Sequence, residues 1–307
     1  MTNGVRIGTR GSPLALTQAR EVCARVAHAH GSPESDFEIV VIHTTGDKLL
    51  DRALSEVGGK GLFTKELDQA LIAGTIDCAV HSAKDLPTQL PDELCIAGYL
   101  PREDAHDVFM GRGCTRLTEL PSGSLVGTAS LRRAAQVKRL RPDLATTLLR
   151  GNVATRLAKV DSGEVVGSLL ALAGLRRLGL DTRAEEILPF ESFLPAAGQG
   201  AIGLTCLVSN AAVKALLAPI LDAATGFTVA AERAFLAVLD GSCRTPIAAH
   251  AHVEDATLIL RGEVLRGDGR ETYAASACGA VGDAARIGHE AGRDILQRLP
   301  HRVAELV

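Results

Sequence analysis

Aromatic residues are scarce in this chain: phenylalanine, tyrosine and tryptophan together make up 3% of its 307 residues, and tryptophan is absent. A surface that stacks nucleic-acid bases needs aromatic side chains, so such a surface is poorly supplied here. The formal net charge of −3 provides no overall attraction to nucleic acid or to an anionic membrane. We therefore expect no nucleic-acid partner, and any recognition of anions must be local.

Long apolar runs are also missing. No run approaches the roughly 20 residues that span a bilayer, and Met1–Ile7 lacks the apolar core of a signal peptide. The seven cysteines, an odd number without a C-x-x-C pair, fit neither a disulfide framework nor a structural zinc site. The pairs His28/His30 and His250/His252 have no third ligand nearby, so we expect no metal. These observations predict a cytoplasmic protein without a membrane partner.

The order of strand-like and helix-like segments predicts the fold. Blocks at residues 1–100 and 105–194 alternate short apolar runs with helical periodicity, which is typical of a mostly parallel sheet covered by helices. The apolar run Ala201–Val208 is expected to return to the first sheet, so residues 200–218 join domain 1. Residues 222–307 are expected to form a small α+β domain, with a helix from residue 227 to 239 and strands at 258–264 and 272–277. Within the second block, a strand is expected at 147–149. The expected fold class is α/β, with two lobes and a cleft as in periplasmic solute-binding proteins, plus this C-terminal domain.

Three predicted strand-to-helix turns are rich in arginine: Arg10–Pro13, Gly127–Arg133 and Arg150–Arg156. A helix start presents unpaired N–H groups and the positive end of the helix dipole to an anion. Arginine adds a planar set of donors that matches a carboxylate or a phosphate. One such turn is usually an ordinary capped helix. Three of them at the same end of successive strands favour a site for a polyanion.

One carboxylate lies among these cations. Asp85 comes at the end of the apolar run Ala79–Ala83, beside Lys84 and just before Pro87. A single acid retained in a polyanion site suggests chemistry at that position. On the residues alone, a solvated Lys84–Asp85 ion pair at a strand end is the better interpretation, because paired charges are often structural.

Two further features leave alternatives open. The glycine-rich segment Gly46–Gly61 carries Lys60 and is either a flexible lid or an ordinary surface loop. Cys243 follows a helix end in a tight turn beside Arg244, which favours a reactive thiolate. Cys114 has similar surroundings and competes with Cys243 for that role.

Together these motifs resemble the porphobilinogen deaminase family. The resemblance follows the family's order over nearly the whole chain and is weakest near the C-terminus. The matching segments are Thr9–Leu16, Val57–Phe63, Ala79–Pro87, Val126–Arg133, Leu149–Val153, Ala173–Gly179, Pro195–Gly200, Ala231–Arg233 and Gly241–Cys243.

The resemblance implies a monomeric three-domain transferase. Such an enzyme condenses porphobilinogen molecules head to tail into the linear tetrapyrrole hydroxymethylbilane, with release of ammonia. It implies a dipyrromethane cofactor linked covalently to Cys243, and it makes Asp85 the catalytic carboxylate. The implied cofactor contacts are Ser82, Lys84, Thr128, Ser130, Arg132, Arg133, Arg150 and Arg156. The implied substrate contacts are Arg10, Ser12, Lys60, Arg177 and Gln199.

Two other function classes remain as alternatives. A solute-binding module has the same two lobes, but the missing signal peptide and the third domain with Cys243 argue against it. A transferase with Cys243 as its nucleophile needs a general base beside the cysteine, and the sequence identifies none.

Overall fold

The computed structural model describes residues 4–48, 61–239 and 245–300. The strands and longer helices are, in chain order, β1 (Val5–Arg10), α1 (Pro13–His30), β2 (Phe37–Ile42), α2 (Thr45–Lys48), α3 (Lys65–Ile72), β3 (Cys78–Ser82), β4 (Leu94–Tyr99), β5 (Asp107–Gly111), β6 (Leu125–Gly127), α4 (Leu131–Leu140), β7 (Ala145–Thr147), α5 (Val153–Asp161), β8 (Gly167–Ala171), α6 (Leu172–Arg177), β9 (Glu186–Leu188), β10 (Ile202–Leu207), α7 (Ala211–Leu217), α8 (Ala223–Val238), β11 (Ile247–Glu254), β12 (Thr257–Leu265), β13 (Thr272–Ala280) and α9 (Ala284–Arg298).

The chain divides into two compact units. The first unit consists of Met1–Leu50, Gly59–Glu103 and Ala201–Gly226, and the second unit contains the remaining residues. The second unit holds two separate sheets, one before and one after residue 201 in the chain. The three-domain division with boundaries at 1–100 plus 200–218, 105–194 and 222–307 stays a prediction.

The first unit is built on a five-stranded sheet in the order β2-β1-β3-β10-β4. Strand β1 pairs in parallel with β2 and β3, whereas β10 is antiparallel to both β3 and β4. Four of the five strands therefore run in one direction. The predicted return of the chain at 201–208 to this sheet is confirmed, because β10 is inserted between β3 and β4.

Helix α1 has a start that is specified by its sequence and an apolar face that packs on this sheet. The Ser12 hydroxyl accepts a hydrogen bond from the third residue of the helix, and Pro13 occupies the first helical position. Val22 and Val26 are fully buried in the same cluster as Ile7 of β1. This packing holds the start of α1 at the end of β1.

The second unit's first sheet has the order β7-β6-β8-β5-β9. Strand β6 is parallel to β7 and β8, and β5 is antiparallel to β8 and β9. Here too a single reversed strand, β5, is inserted among four described strands of common direction. Phe109, Val126, Val137 and Leu169 form the core that joins helix α4 to this sheet.

The second unit's other sheet is an antiparallel meander, β11-β12-β13, packed against α8 and α9. The predicted strands at 258–264 and 272–277 are confirmed, and β11 is an additional strand. Phe235 of α8 lies so close to β12 that a Cβ on Gly262 would be 2.4 Å from its ring. Glycine is therefore required at position 262 for the helix to reach the sheet.

In the described part of the chain, no single helix is long and apolar enough to cross a bilayer. The segments Ala211–Ile220 and Ala223–Val238 meet the length and composition test only when they are taken together across a 110° bend.

Candidate functional site

In the first unit, Asp85 lies at the edge of the sheet where β1 and β3 end. It is the last residue of a short 3-10 turn, Ala83–Asp85, that follows β3. Because β1 and β3 are parallel neighbours, Arg10 at the end of β1 comes to the same edge. Asp85 Oδ2 is 3.9 Å from Arg10 Nη1, and both side chains are about a quarter exposed, at 27% and 22%. The structure thus places a partly exposed carboxylate beside a partly exposed guanidinium.

Arg10 is oriented by an aromatic ring that the sequence did not point to. Its guanidinium carbon lies 4.2 Å from the centroid of the Phe63 ring, a cation–π contact. Ser12, two residues on, uses its hydroxyl to cap α1. Arg10 is therefore held between an aromatic face and Asp85 at the start of a helix.

Ser82 and its neighbour His81, at the end of β3, are positioned by hydrogen bonds to Gln18 and Thr205. The Ser82 hydroxyl is hydrogen-bonded to both atoms of the Gln18 side-chain amide, at 3.1 and 3.2 Å. Gln18 is buried on the apolar face of α1, and a polar residue in that stripe was the signal that could have identified it. His81 is buried with Nε2 3.0 Å from the Thr205 hydroxyl. Burial and the Arg10 charge lower the pKa of His81 to about 4, so its ring is neutral at pH 7.

In the second unit, a buried cluster gathers several of the predicted site residues. We call Asp107, Arg132, Arg133 and Gln199 the Asp107 cluster. Asp107 is fully buried, and the two arginines are 4% and 5% exposed. Asp107 Oδ2 accepts from Arg132 Nη1 at 2.6 Å, and Oδ1 accepts from Arg133 Nη2 at 2.6 Å and from Gln199 Nε2 at 3.0 Å. One predicted substrate contact and two predicted cofactor contacts therefore share one carboxylate.

The charges of the Asp107 cluster do not cancel. Burial by itself raises the pKa of Asp107, but the charges and hydrogen bonds of Arg132 and Arg133 outweigh it and hold the pKa below its ordinary value. Asp107 is thus ionised, and the four residues of the cluster together carry one net positive charge. The buried Glu263 carboxylate, which is paired with Arg139, also acts on Arg132. Arg132 Nε is buried and has no hydrogen-bond partner among the described residues. A purely structural ion pair would satisfy every buried donor, so the unpartnered Nε is better explained by a site that binds an anionic group.

Asp107 was missing from the sequence-based site. The signal for it was an acidic residue at the start of the apolar strand Asp107–Gly111, since a charge is rarely buried in a strand without a partner. Its partners are 25 and 26 positions away along the chain, so their identity was not readable from local spacing.

The two remaining arginine-rich turns are helix starts, as predicted. The Ser130 hydroxyl caps α4, and Thr128 Oγ1 accepts from the Ser130 N–H at 3.2 Å. Asn152 caps α5 by accepting the Thr155 N–H at 2.9 Å. Gly151 has φ +113°, a conformation that favours glycine, so this turn is specified by its sequence.

The arginines of these turns differ in how they are held. Arg156 Nε donates to the carbonyl of Gly151 at 2.9 Å, which folds its side chain back over the start of α5. Arg150 is half-buried, and burial lowers the pKa of its guanidinium. Arg177, at the end of α6, donates from Nη2 to the Gly200 carbonyl at 3.0 Å. All three are partly exposed, so their guanidinium groups are accessible to an anion.

Two predicted site residues lie outside the described residues, namely Cys243 and Lys60. Most of the Gly46–Gly61 segment is outside them as well. Cys114 is described: it is partly exposed, and its Sγ donates to the Arg116 carbonyl at 3.1 Å. The assignment between Cys243 and Cys114 therefore rests on the resemblance.

Comparison with known proteins identifies relatives of both parts of the chain. Residues 5–215 match the family model described as "Porphobilinogen deaminase, dipyromethane cofactor binding domain", and residues 227–297 match "Porphobilinogen deaminase, C-terminal domain". Curated porphobilinogen deaminases from Nitrobacter hamburgensis and Nitrobacter winogradskyi are each 51% identical over 292 residues, which cover 95% of this chain and 92% of the relative.

Solved structures with similar folds are more distant in sequence. The methionine-binding protein MetQ is 16% identical with a TM-score of 0.45, over 72% of this chain and 91% of its own. A periplasmic substrate-binding protein of an ABC transporter from Coxiella burnetii is 14% identical with a TM-score of 0.45, over 70% of this chain and 91% of its own.

Proposed function

We propose residue roles for this chain from its membership of the porphobilinogen deaminase family, whose members are hydroxymethylbilane synthases with a dipyrromethane cofactor. In this proposal Asp85 is the catalytic carboxylate, and Cys243 is the residue to which the cofactor is attached. The observation that carries the function is the pair of family matches, which together extend from residue 5 to residue 297. The observation that supports the role of Asp85 is its partly exposed carboxylate beside Arg10.

The residues present fit a dipyrromethane, whose acetate and propionate groups are anionic. In the second unit, the donors are the capped starts of α4 and α5, the half-buried Arg150 and Arg156, and the orphaned Nε of Arg132. When bound, the cofactor supplies the primer to which pyrrole units are added. We propose that Thr128, Ser130, Arg132, Arg133, Arg150 and Arg156 hold its carboxylates in this unit, and that Ser82 and Lys84 contact it in the first.

The role of Asp85 follows from the charge that develops in the reaction. When the aminomethyl group of porphobilinogen loses ammonia, a cationic pyrrole species remains. A carboxylate held at a fixed place stabilises that cation and accepts a hydrogen bond from the pyrrole N–H. The same group can take up and return a proton during each coupling. The Arg10 guanidinium, 3.9 Å from Asp85 Oδ2, attracts the carboxylate and helps to orient it.

Recognition of porphobilinogen depends on its two carboxylates. We propose that Arg10, Ser12, Lys60, Arg177 and Gln199 provide it, because guanidinium and ammonium groups bind carboxylates through charge-assisted hydrogen bonds. Gln199 also donates to Asp107, so the same cluster that supports the arginines positions this substrate contact. The neutral state of His81 keeps a further positive charge away from Asp85.

Intact mass spectrometry of the purified protein tests the attachment point. The wild-type chain should carry an adduct with the mass of two pyrrole rings, which Cys243→Ser loses and Cys114→Ser keeps. An adduct that survives in Cys243→Ser, or an active wild-type enzyme of unmodified mass, contradicts the assignment.

The catalytic role of Asp85 is tested by Asp85→Asn. We expect it to retain the adduct while kcat falls at least about a hundredfold, since it loses both the charge and the proton-transfer group. The exposed Asp92 of the same unit provides the matched control, and Asp92→Asn should keep wild-type turnover. Turnover of Asp85→Asn within a few-fold of that control would show that Asp85 is not catalytic.

We also propose that the protein is a cytoplasmic monomer of three domains that binds neither nucleic acid nor membranes. The near-neutral net charge and the low aromatic content support the last point. Three separate sheets support the number of domains. Light scattering coupled to size exclusion tests the monomer, which a mass of twice the chain would exclude.

A further inference from the structure

Two cysteines face each other on neighbouring strands of the first unit. Cys95 of β4 and Cys206 of β10 are direct partners in the antiparallel ladder, and their sulfur atoms are 3.8 Å apart. Opposed residues in such a ladder have Cα atoms about 4.5–5.5 Å apart. A disulfide accommodates Cα separations of about 4.4–6.8 Å. The two sulfurs can therefore bond by side-chain rotation, without a shift of either strand.

We propose that Cys95 and Cys206 are a peroxide-sensitive thiol pair that closes into a reversible cross-strand disulfide. The pair is separate from the residues assigned to the cofactor, the substrate and catalysis. Cys95 is partly exposed and so is accessible to a small oxidant, whereas Cys206 is fully buried behind it. The more exposed Cys95 is therefore suited to be the thiol that attacks the oxidant, and the buried Cys206 is suited to be the resolving thiol.

The environment selects Cys95 as the sulfur that reacts first. Burial raises the pKa of Cys206, Cys23 and Cys78 above that of an ordinary thiol. A thiol with a raised pKa is a poor nucleophile, because the thiolate is the reactive form. Cys23 and Cys78 are buried in the same core as Cys206, so an oxidant meets Cys95 first.

The chemistry balances with hydrogen peroxide as the oxidant. The Cys95 thiolate attacks one peroxide oxygen, the O–O bond breaks, and water leaves once the departing oxygen is protonated, which produces a sulfenic acid. The Cys206 sulfur then bonds to the Cys95 sulfur, and the sulfenic oxygen leaves as a second water with the Cys206 proton. The two thiols lose two electrons and two protons in total, and one peroxide is reduced to two waters.

The strands that carry the pair give the cross-link its effect on stability. The chain leaves the first unit after β4 and re-enters it immediately before β10. A bond between Cys95 and Cys206 therefore closes a loop that contains residues 104–200, and closing a loop of on the order of 100 residues restricts the unfolded chain strongly. We expect the oxidised protein to melt about 5 °C above the reduced protein.

Peptide mapping of the whole purified protein tests the proposal. After treatment with a small excess of hydrogen peroxide, non-reducing digestion should yield a peptide that joins Cys95 to Cys206, and the intact mass should fall by about 2 Da, the mass of two hydrogens. Dithiothreitol should reverse both changes. Adduct mass and turnover are measured in parallel, so a failure of the cofactor assignment is seen separately from a failure of this pair.

Three variants sharpen the test. Cys206→Ser lacks the resolving thiol, so Cys95 should instead gain oxygen, with increases of about 16 and 32 Da. Cys95→Ser should show neither the cross-link nor oxidation at Cys206. Cys278 is exposed on β13, and Cys278→Ser should still form the cross-link. Oxidation of Cys278 or Cys114 in the wild type while Cys95 and Cys206 remain free thiols would overturn the proposal.

Discussion

Asp107→Asn removes the negative charge between two buried guanidinium groups. Asp107 Oδ1 accepts from Arg133 and Gln199, and Oδ2 accepts from Arg132 at 2.6 Å. An asparagine with its oxygen in the Oδ1 position turns its NH₂ group against Arg132, so two donors face each other. In the opposite orientation, the NH₂ group takes the Oδ1 position and faces the donors of Arg133 and Gln199. Removing one partner of a buried ion pair typically costs about 3–5 kcal/mol, because the remaining charges stay buried and uncompensated.

That cost corresponds to a drop in Tm of about 5–8 °C for a chain of this size. Differential scanning calorimetry of the purified variant measures it. The matched control is Asp77→Asn, because Asp77 also accepts from an arginine at 2.9 Å but both side chains are partly exposed, at 26% and 37%. Exposed pairs contribute about 0.2–1 kcal/mol, so the control should lose no more than a few degrees.

Cofactor content provides a second reading of the same variant. Arg132 and Arg133 keep their positions through Asp107, so Asp107→Asn should carry the two-pyrrole adduct in a smaller fraction of molecules than Asp77→Asn does. Intact mass spectrometry reports that fraction. If Asp107→Asn melted within a degree or two of the control and carried as much adduct, the proposal that the Asp107 carboxylate holds Arg132 and Arg133 in place would be refuted.

The remaining predictions concern pH and one hairpin. Because the pKa of His81 is lowered in the folded state, the stability that its neutral ring provides is fully present above its unfolded pKa of about 6.5 and is lost as the pH falls towards 4. The loss amounts to about 3 kcal/mol. Between pH 6.5 and 4, the midpoint of urea unfolding should therefore fall less in His81→Gln than in the wild type. An equal fall in the two proteins would contradict this. The β11–β12 turn places Ala256 at φ +63°, which disfavours a side chain, so Ala256→Gly should raise the free energy of unfolding by about 0.5–1 kcal/mol. Ala277→Gly, within extended strand β13, should instead lower it by a similar amount, and equal effects at both positions would rule out the backbone argument.

The secondary structure was predictable where its signals are local. The starts of α1, α4 and α5 are confirmed, because their caps satisfy N–H groups within three residues of Ser12, Ser130 and Asn152. The predicted start of α8 at residue 227 was four residues late, and the predicted strand at 147–149 lies at Ala145–Thr147 instead. These errors fall at element ends, where a short apolar run fits several registers.

Strands that depend on distant partners were harder to predict. Strands β4, β9 and β11 were missed. Among the described residues, β4 pairs with β10, more than a hundred positions later in the chain, and β9 pairs with β5, more than seventy positions earlier. Strand β11 pairs with the adjacent β12, so a distant partner does not explain why it was missed. The reversal of β10 was not predicted either, although its membership of the first sheet was. A strand's direction depends on how the chain approaches the sheet, and periodicity carries no information about that path.

By itself, the sequence determined the helix starts that present donors to anions, the alternating order of strands and helices, and the motifs that resemble one family. All of these depend on contacts within a few residues or on short sequence motifs. The tertiary structure alone decided that Asp107 compensates Arg132 and Arg133, that Arg10 lies beside Asp85, and that Cys95 faces Cys206. The physical reason is that a buried charge or thiol interacts with whatever the fold places within a few ångströms, whatever the separation along the chain.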